Sequence, residues 1–343
     1  MITNKFYKAP IIIIFIERTI KMKDIALIDD DFIDQNTHFP SLIATIKAAF
    51  TSSSIQVPMR HHHDFPNPKE NTDSTLLLMP AWNPGKEAGV KIVTVSPNNG
   101  VYNLPAIQGT YLYLDAHKGT VKAILAAKAL TAKRTAAASA LASSYLSRED
   151  ASSLLMIGTG ALSVNLIMAH ASVRPIKNVY VWGRNFKKAE AICQEAALKG
   201  FNTTPIHDLV EVIPKVDIIS SATLSKTPLV LGKHLKEGQH IDLVGAYKKD
   251  MREADDEAIK KSSVFLDTYQ GGLKESGDIA IPLKTGVLLE NDIKADLFDL
   301  CSNKKQGRQN SKEITFFKSV GHALEDLAAA TYYYEKYKNE KHL

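Results

Sequence analysis

Residues 154–163 read Leu-Leu-Met-Ile-Gly-Thr-Gly-Ala-Leu-Ser, an apolar run that leads directly into a Gly-x-Gly-x-x-Ser pattern. Such a run is typical of a buried strand followed by a tight turn and a helix. Gly158 permits the turn, Gly160 lets the backbone approach a diphosphate, and a helix from about Ala161 directs free N–H groups at it. Ser163 stands where a third glycine or alanine is usual. The motif predicts a Rossmann-type unit that binds a dinucleotide.

A second strand, residues 178–182, ends in Gly183-Arg184-Asn185. An NAD enzyme places an aspartate or glutamate at this point to bind the ribose hydroxyls. An arginine suits a 2′-phosphate instead, so Arg184 predicts NADPH as the cofactor, with NADH still possible. The alternative is a surface arginine after an ordinary parallel strand.

Strands and helices alternate through the middle of the chain, which predicts an α/β fold with a doubly wound parallel sheet. The predicted strands are residues 153–158, 178–182, 216–221, 240–245 and 263–267. Helices are predicted between them, among others at 187–199 and 255–261.

The segment before this unit has a different pattern, with one helix at about 39–51 and short β segments at 75–79, 89–96 and 110–115. An Ala-rich stretch, 131–146, predicts a long helix that Thr131 could cap. A final Ala-rich helix, from His322 to about Tyr337, is expected to return to the first domain. We therefore predict an α+β domain from residues 22–135 and 318–343 and a Rossmann domain from 136–317.

The bulk composition excludes several classes of protein. The net charge of +5 is concentrated in residues 1–21, whose four basic side chains against Glu17 give +3 and leave +2 for the rest. The sequence contains no block of basic residues, so nucleic-acid binding is not predicted. The apolar run at 10–16 is too short to span a bilayer, so no membrane contact is predicted. Met22 resembles a natural start, and residues 1–21 are interpreted as an extension.

Three cations lie inside otherwise apolar or turn-like segments: Arg60, Lys91 and Arg134. A guanidinium binds a carboxylate through a planar two-point fork, so both arginines are candidate anchors for an acid substrate or for phosphates. Lys91 lies in the interior of an apolar strand, where burial lowers the pKa of an amine. The alternatives are an edge-strand lysine that points to water and, for Arg134 in the first turn of its helix, a solvated charge.

Other reactive-looking residues are interpreted as structural. The three histidines at 61–63 cannot all reach one metal ion, because consecutive strand residues point to opposite faces, and no metal site is predicted. No Gly-x-Ser-x-Gly elbow is present. Cys193, in a helix, and Cys301, in a polar loop, lie far apart without a paired histidine, which favours a reducing cytoplasm over a disulfide framework.

From Met22 onward the chain resembles the ornithine cyclodeaminase/mu-crystallin family. The matching segments are Met79–Trp82, Gly89–Lys91, Leu130–Ser139, Ile157–Ala161, Val181–Arg184 and Ser319–Asp326. The resemblance implies a homodimer whose substrate and dimerisation domain lies beside a Rossmann domain. It also implies roles for individual residues: Arg60, Lys91 and Val320 on the substrate, Arg134 between substrate and cofactor, and Thr135, Ala161, Leu162, Thr223 and Ser319 on the cofactor.

One position departs from the cyclodeaminases of that family. Tyr247 stands where they carry a catalytic aspartate, and residues 245–253 resemble the branch that reduces cyclic ketimines to L-proline and L-pipecolate. Within this interpretation Lys91 is the candidate proton donor, and Asp326 and His62 are the alternatives. A cyclodeaminase, an alanine-dehydrogenase-like enzyme and a mu-crystallin-like binding protein remain open.

Overall fold

The computed structural model describes residues 25–342, so the expected extension at 1–21 and the start at Met22 lie outside the described residues. The described chain builds two sheets, one of six strands and one of eight, with helices packed on them. The predicted α/β class is confirmed.

The six-stranded sheet is formed by the N-terminal part of the chain. Its strands are β1 (Ala26–Ile28), β2 (His61–Asn67), β3 (Thr72–Asn83), β4 (Glu87–Val95), β5 (Ile107–Asp115) and β6 (Val121–Ala126). Their order is β1-β6-β5-β4-β3-β2, in which β1 runs parallel to β6 and all other neighbours are antiparallel. Strand β4, which carries Lys91, is therefore an interior strand.

The eight-stranded sheet is parallel throughout. Its strands are β7 (Ser153–Ile157), β8 (Asn178–Trp182), β9 (Asn202–Ile206), β10 (Ile218–Ser221), β11 (His240–Leu243), β12 (Ser262–Leu266), β13 (Ala295–Asp296) and β14 (Ile314–Lys318). The spatial order is β13-β12-β14-β11-β10-β7-β8-β9. The strand order reverses at β7: β8 and β9 are added on one side of it and β10 on the other. Ligands of such sheets bind outside the carboxyl ends of the strands at this switch point.

Eleven α-helical segments lie within residues 25–342. They are α1 (Asp30–Gln35), α2 (Phe39–Thr51), α3 (Ala127–Leu146), α4 (Ser163–Ala171), α5 (Phe186–Ala197), α6 (Leu209–Val212), α7 (Asp256–Lys261), α8 (Tyr269–Gly272), α9 (Gly277–Thr285), α10 (Leu297–Cys301) and α11 (Ala323–Lys341). None of the helices in this part of the chain is long and apolar enough to cross a membrane.

Two details of the predicted helices are wrong. Helix α3 begins at Ala127, directly after β6, because residues 127–130 are good helix formers. Thr131 is therefore not its cap, and Arg134 lies in the helix interior rather than in the first turn. Cys301 is the buried last residue of α10, not part of a polar loop.

Helix α11 packs against α2, α3 and strands β3, β4 and β5, which confirms that the last helix returns to the first sheet. The predicted boundary at 135/136 falls inside α3, and residue 318 is the last of β14. The domain limits stay a prediction.

Candidate active site

The glycine turn after β7 lies at the switch point of the parallel sheet. Gly158 has φ +122°, and a Cβ atom there would lie 2.7 Å from the carbonyl oxygen of Ala222 after β10. Gly160 is exposed, and a Cβ on it would meet no atom within 4 Å. The first glycine thus permits the close turn, while the second faces open space that a side chain would fill. This cradle fits the diphosphate of a dinucleotide.

Helix α4 begins at Ser163, two residues after the predicted start at Ala161. The buried Ser163 hydroxyl donates a hydrogen bond of 3.0 Å to the carbonyl oxygen of Gly158. This bond closes the turn from inside, which explains how serine replaces the usual small residue. Ala161 is exposed on the turn, and Leu162 is half-buried against the hydrophobic core.

Arg184 is exposed beside this turn. The preceding Gly183 lies so close to Thr159 that a Cβ on it would be 2.5 Å from the Thr159 Cγ2 atom. Asn185 then caps α5 by accepting a hydrogen bond from the backbone N–H of Lys188 at 3.3 Å. Arg184, which is predicted to bind the 2′-phosphate, is thus held next to the glycine turn. Its exposure is equally compatible with the alternative, an ordinary surface arginine.

A buried carboxylate, Glu253, joins the loops that follow β10 and β11. Its Oε1 atom accepts hydrogen bonds from the Ser221 hydroxyl at 2.6 Å and from the Thr223 N–H and hydroxyl at 2.7 and 2.8 Å. Its Oε2 atom accepts from the N–H groups of Gly245 and Ala246 at 2.8 and 3.1 Å. Thr223, a predicted cofactor residue, is therefore fixed relative to the neighbouring loop.

Lys318 supports the same region from the end of β14. Its Nζ atom lies 3.1 Å from Oδ2 of Asp278 and 3.8 Å from Oε2 of Glu253, and all three side chains are fully buried. Burial raises the pKa of Glu253, while Lys318 acts in the opposite direction.

Two of the three predicted cations, Lys91 and Arg134, meet at the first turn of α11. Lys91 is 3% exposed, and its Nζ atom lies 2.9 and 2.8 Å from the two carboxylate oxygens of Asp326. Arg134 is 6% exposed and lies 2.7 Å from Glu325 and 3.0 Å from Asp326. These positions exclude an edge-strand lysine and a solvated helix-face arginine.

The charges of this cluster shift the pKa values of its members. Burial lowers the pKa of Lys91 to about 8, although Asp326 opposes the change. Burial also raises the pKa of Glu325 to about 7 against the effect of Arg134. Lys91 and Arg134 together hold the pKa of Asp326 below its usual range despite burial. Glu325 is thus the member of the cluster closest to taking up a proton near neutral pH.

The segment 319–321 passes between the two arginines. Buried Asp267, directly after β12, accepts hydrogen bonds from the Ser319 hydroxyl at 3.0 Å and from the N–H groups of Val320 and Gly321 at 2.7 Å each. Gly321 has φ +80°, and a Cβ there would lie 2.6 Å from Nη1 of Arg134. A side chain at this position would therefore displace the Arg134 guanidinium.

Arg60 approaches the same segment from the other side. Its Nη2 atom donates hydrogen bonds to the carbonyl oxygens of Val320, at 3.3 Å, and of Gly321, and it lies 3.1 Å from the Glu275 carboxylate. Burial raises the pKa of Glu275, which Arg60 opposes. The structure thus brings Arg60, Arg134 and Val320 to one place, as the resemblance implies.

A cavity opens beside Arg60 between the two sheets. It is lined by Met59, Met79, Glu275, Gly321 and His322, among others, and adjoins a second cavity of about 330 Å³ that also reaches His322. His322 is 9% exposed, and its Nδ1 atom has no hydrogen-bond partner among residues 25–342.

The remaining predicted residues occupy less central positions. Thr135 is buried on α3, Tyr247 is half-buried in the loop after β11, and His62 is exposed on β2. Burial raises the pKa of Cys193 and of Cys301 to about 11, so neither thiol is ionised near neutral pH.

Several residues of the site were not assigned a role from the sequence, among them Glu253, Asp267, Glu275 and His322. An acidic residue directly after a buried strand was a usable signal for Asp267. The partners of Glu253 and Glu275, and the other walls of the cavity that His322 lines, come from other segments of the chain, which a sequence pattern does not pair. The roles of all site residues remain proposals.

Comparisons with known proteins agree with this geometry. The family model "Ornithine cyclodeaminase/mu-crystallin family" matches residues 25–341. A Delta(1)-pyrroline-2-carboxylate reductase of Colwellia psychrerythraea is 36% identical over 315 residues, which cover 90% of this chain and 98% of that protein.

Two solved structures have the same fold. The Delta(1)-pyrroline-2-carboxylate reductase of Thermococcus litoralis, in complex with NADH and L-proline, has a TM-score of 0.87 and 33% identity, covering 93% of this chain and 99% of that one. An archaeal alanine dehydrogenase dimer with bound NAD has a TM-score of 0.85 and 25% identity, covering 93% and 97%. With the family model spanning nearly all described residues, the chain belongs to the ornithine cyclodeaminase/mu-crystallin family.

Proposed function

We propose that this chain is an NADPH-dependent reductase of cyclic ketimines, which converts Δ1-pyrroline-2-carboxylate to L-proline and Δ1-piperideine-2-carboxylate to L-pipecolate. The observation that carries the proposal is that Arg60, Lys91 and Arg134 all contact the segment 320–326, which follows β14 of the sheet that holds the glycine turn. Reductases of this substrate among the relatives support it.

Each residue has a distinct task in this reaction. A bound nicotinamide supplies a hydride to the carbon of the C=N bond. Arg60 and Arg134 orient the substrate by its carboxylate, which holds the ring in one plane. Lys91, with its pKa lowered to about 8, is the candidate proton donor and adds a further positive charge facing the carboxylate. Val320 contacts the ring.

The cofactor residues follow the glycine turn. We assign the diphosphate to Gly158, Gly160, Ala161 and Leu162, with Arg134 and Thr135 facing it from α3. Thr223 and Ser319 are placed at the nicotinamide half, and Arg184 at the 2′-phosphate. Since NADH and NAD are the cofactors named in the neighbouring structures, the preference for NADPH depends on Arg184 alone.

A parallel substrate assay tests the proposal. NADPH absorbance is followed with pyrroline-2-carboxylate, with piperideine-2-carboxylate, and with pyruvate plus ammonia. Ammonia release is measured with ornithine and NAD⁺. Turnover of either ketimine supports the proposal. Turnover of pyruvate and ammonia alone would indicate the alanine dehydrogenase activity named for one neighbour. Release of ammonia from ornithine would indicate a cyclodeaminase. Cofactor binding without any turnover would indicate a binding protein.

We also propose a cytoplasmic homodimer. Exposed apolar side chains lie on the outer strand β2, in the segment before β5 and at the first residue of β5: Phe65 is 44%, Val101 71%, Leu104 51% and Ile107 52% exposed. Patches of this kind mark protein interfaces, and a neighbouring structure is a dimer. Light scattering during gel filtration measures the mass. A monomer at micromolar concentration would contradict the assignment.

A further inference from the structure

His322, which lines the cavity beside Arg60, is a buried histidine with an unpaired ring nitrogen. The residue is only 9% exposed, and its Nδ1 atom has no hydrogen-bond partner in the described part of the chain. Phe298 packs edge-on against the ring, with 5.9 Å between centroids. Buried polar atoms in native proteins are generally paired, so an unpaired one that lines a cavity points to a ligand.

The position of the substrate nitrogen follows from that of its carboxylate. In a ketimine acid the carboxylate and the C=N nitrogen are attached through the same carbon, so a carboxylate on Arg60 places the nitrogen next to it. Arg60 donates to the carbonyl oxygen of Gly321, and His322 is the next residue. A partner for the nitrogen must therefore come from this part of the cavity.

The protonated form of the substrate carries an N–H group and needs an acceptor. Lys91 and Arg134 are donors only. Asp326 is occupied by both of them, and Glu275 is occupied by Arg60. The Oε1 atom of Glu325 also has no partner, but Glu325 does not line the cavity beside Arg60. His322 does line it, and its Nδ1 atom is not engaged by any cation.

Burial keeps the ring of His322 neutral. Burial lowers its pKa to about 4, and Arg60 and Arg134 act in the same direction. Asp267 and Asp326 act against them, and Glu275 lines the same cavity. A neutral imidazole offers one acceptor nitrogen and one N–H donor.

We propose that a ring nitrogen of His322 accepts a hydrogen bond from the protonated C=N nitrogen of the substrate. The inference rests on the proposed function. Hydride adds to the ring carbon, the C=N π electrons become a lone pair on nitrogen, and the nitrogen keeps its hydrogen. The resulting amine takes its second proton from Lys91, the donor in the proposed reaction. His322 exchanges no proton; it selects the protonated iminium, the form that accepts hydride most readily.

Two planar inhibitors test the contact directly. Pyrrole-2-carboxylate has an N–H group where the substrate has its nitrogen, and furan-2-carboxylate has an oxygen there. The wild-type protein with cofactor should bind the pyrrole acid about five- to tenfold more tightly, the range of one neutral hydrogen bond. His322→Phe should lose this preference, and His322→Asn, which keeps an acceptor, should restore part of it. His117→Phe, at an exposed turn, should retain the wild-type ratio.

The pH profile of kcat provides a second readout, because kcat reports the pKa of the bound substrate. The proposed contact raises this pKa, so wild-type kcat should persist to higher pH than kcat of His322→Phe. Equal binding of the two acids by the wild type would overturn the inference, and so would an unchanged ratio and profile in the variant. If His322→Phe fails to fold, the wild-type ratio and His322→Asn decide. A wild type that reduces no ketimine would instead overturn the proposed function.

Discussion

Lys91 and Asp326 form an ion pair in which both side chains are almost fully buried, at 2.8 Å, between strand β4 and helix α11. The pair joins the first sheet to a helix more than two hundred residues later in the chain. Removing one member of such a pair leaves the other as an uncompensated buried charge.

Lys91→Met should lose most of kcat and still bind NADPH, because the glycine turn lies on the other sheet. The variant should also lose about 3–5 kcal/mol of unfolding free energy, since Asp326 then keeps only Arg134 as a partner. Steady-state kinetics, fluorescence titration of NADPH and denaturant unfolding measure the three quantities. Lys122→Met, which breaks a partly exposed pair with Asp115, is the matched control. Unchanged turnover would remove Lys91 from the reaction.

Arg184→Asp should weaken NADPH far more than NADH. Loss of a charge-assisted contact corresponds to roughly 10- to 100-fold in kcat/KM for NADPH, and the new carboxylate can bind ribose hydroxyls. The ratio of kcat/KM for the two cofactors measures the effect. Lys199→Asp, at an exposed position beyond α5, changes the net charge equally and should leave the ratio unaltered. The same ratio in both variants would contradict the 2′-phosphate role.

Comparing Gly321→Ala with Gly286→Ala distinguishes two effects. Both substitutions strain the backbone, but only Gly321→Ala also displaces the Arg134 guanidinium. Both glycines have φ near +80°, but a Cβ on Gly286 would meet nothing within 4 Å, whereas one on Gly321 would meet the Arg134 guanidinium. Gly286→Ala should cost about 1–2 kcal/mol of stability and no activity. Gly321→Ala should cost more and lower kcat/KM for the ketimine at least tenfold. Equal effects on kcat/KM would show that Arg134 does not need its present position.

The stability of the protein should fall with acid partly because of His240. Burial lowers the pKa of this residue from its ordinary 6.5 to about 3, so the unfolded chain binds one proton more than the folded chain between these values. The stabilisation is present above pH 6.5 and is lost as the pH falls, by about 1.4 kcal/mol per pH unit. Denaturant unfolding from pH 7 to 4 measures the slope. His240→Asn should be less stable at pH 7 but lose less on acidification, and parallel curves would exclude His240 as the cause.

The parts of the fold that carry periodic apolar runs were predictable from the sequence. Helix α2 was predicted with the bounds that the structure has, as was β8. The other four predicted strands of the parallel sheet lie within a few residues of their predicted limits, whereas β9, β13 and β14 were not among the predicted strands. Strand β2 was not predicted, because six of its seven residues are exposed and no face is apolar. Its strand conformation depends on pairing with β3, which is a tertiary effect.

The site was predictable to the extent that its chemistry is local. The glycine turn and the cations appear as residue types in context. Their carboxylate partners do not, because Glu275 meets Arg60, and Glu325 meets Arg134, only after the chain has folded. Ser163 is a further example. The motif usually has glycine or alanine at this position, and the hydrogen bond from the Ser163 hydroxyl to Gly158, which explains the serine, is visible only in the structure.

The ion pairs of α11 have a consequence for biosynthesis. Lys91 and Arg134 leave the ribosome long before Glu325 and Asp326, and the whole parallel sheet is translated in between. During that interval the nascent chain cannot bury the two cations without neutralisation, so the first sheet stays open to water until its final helix arrives. We therefore expect the domain that contains the first sheet to finish folding only after the parallel sheet and α11 have been translated.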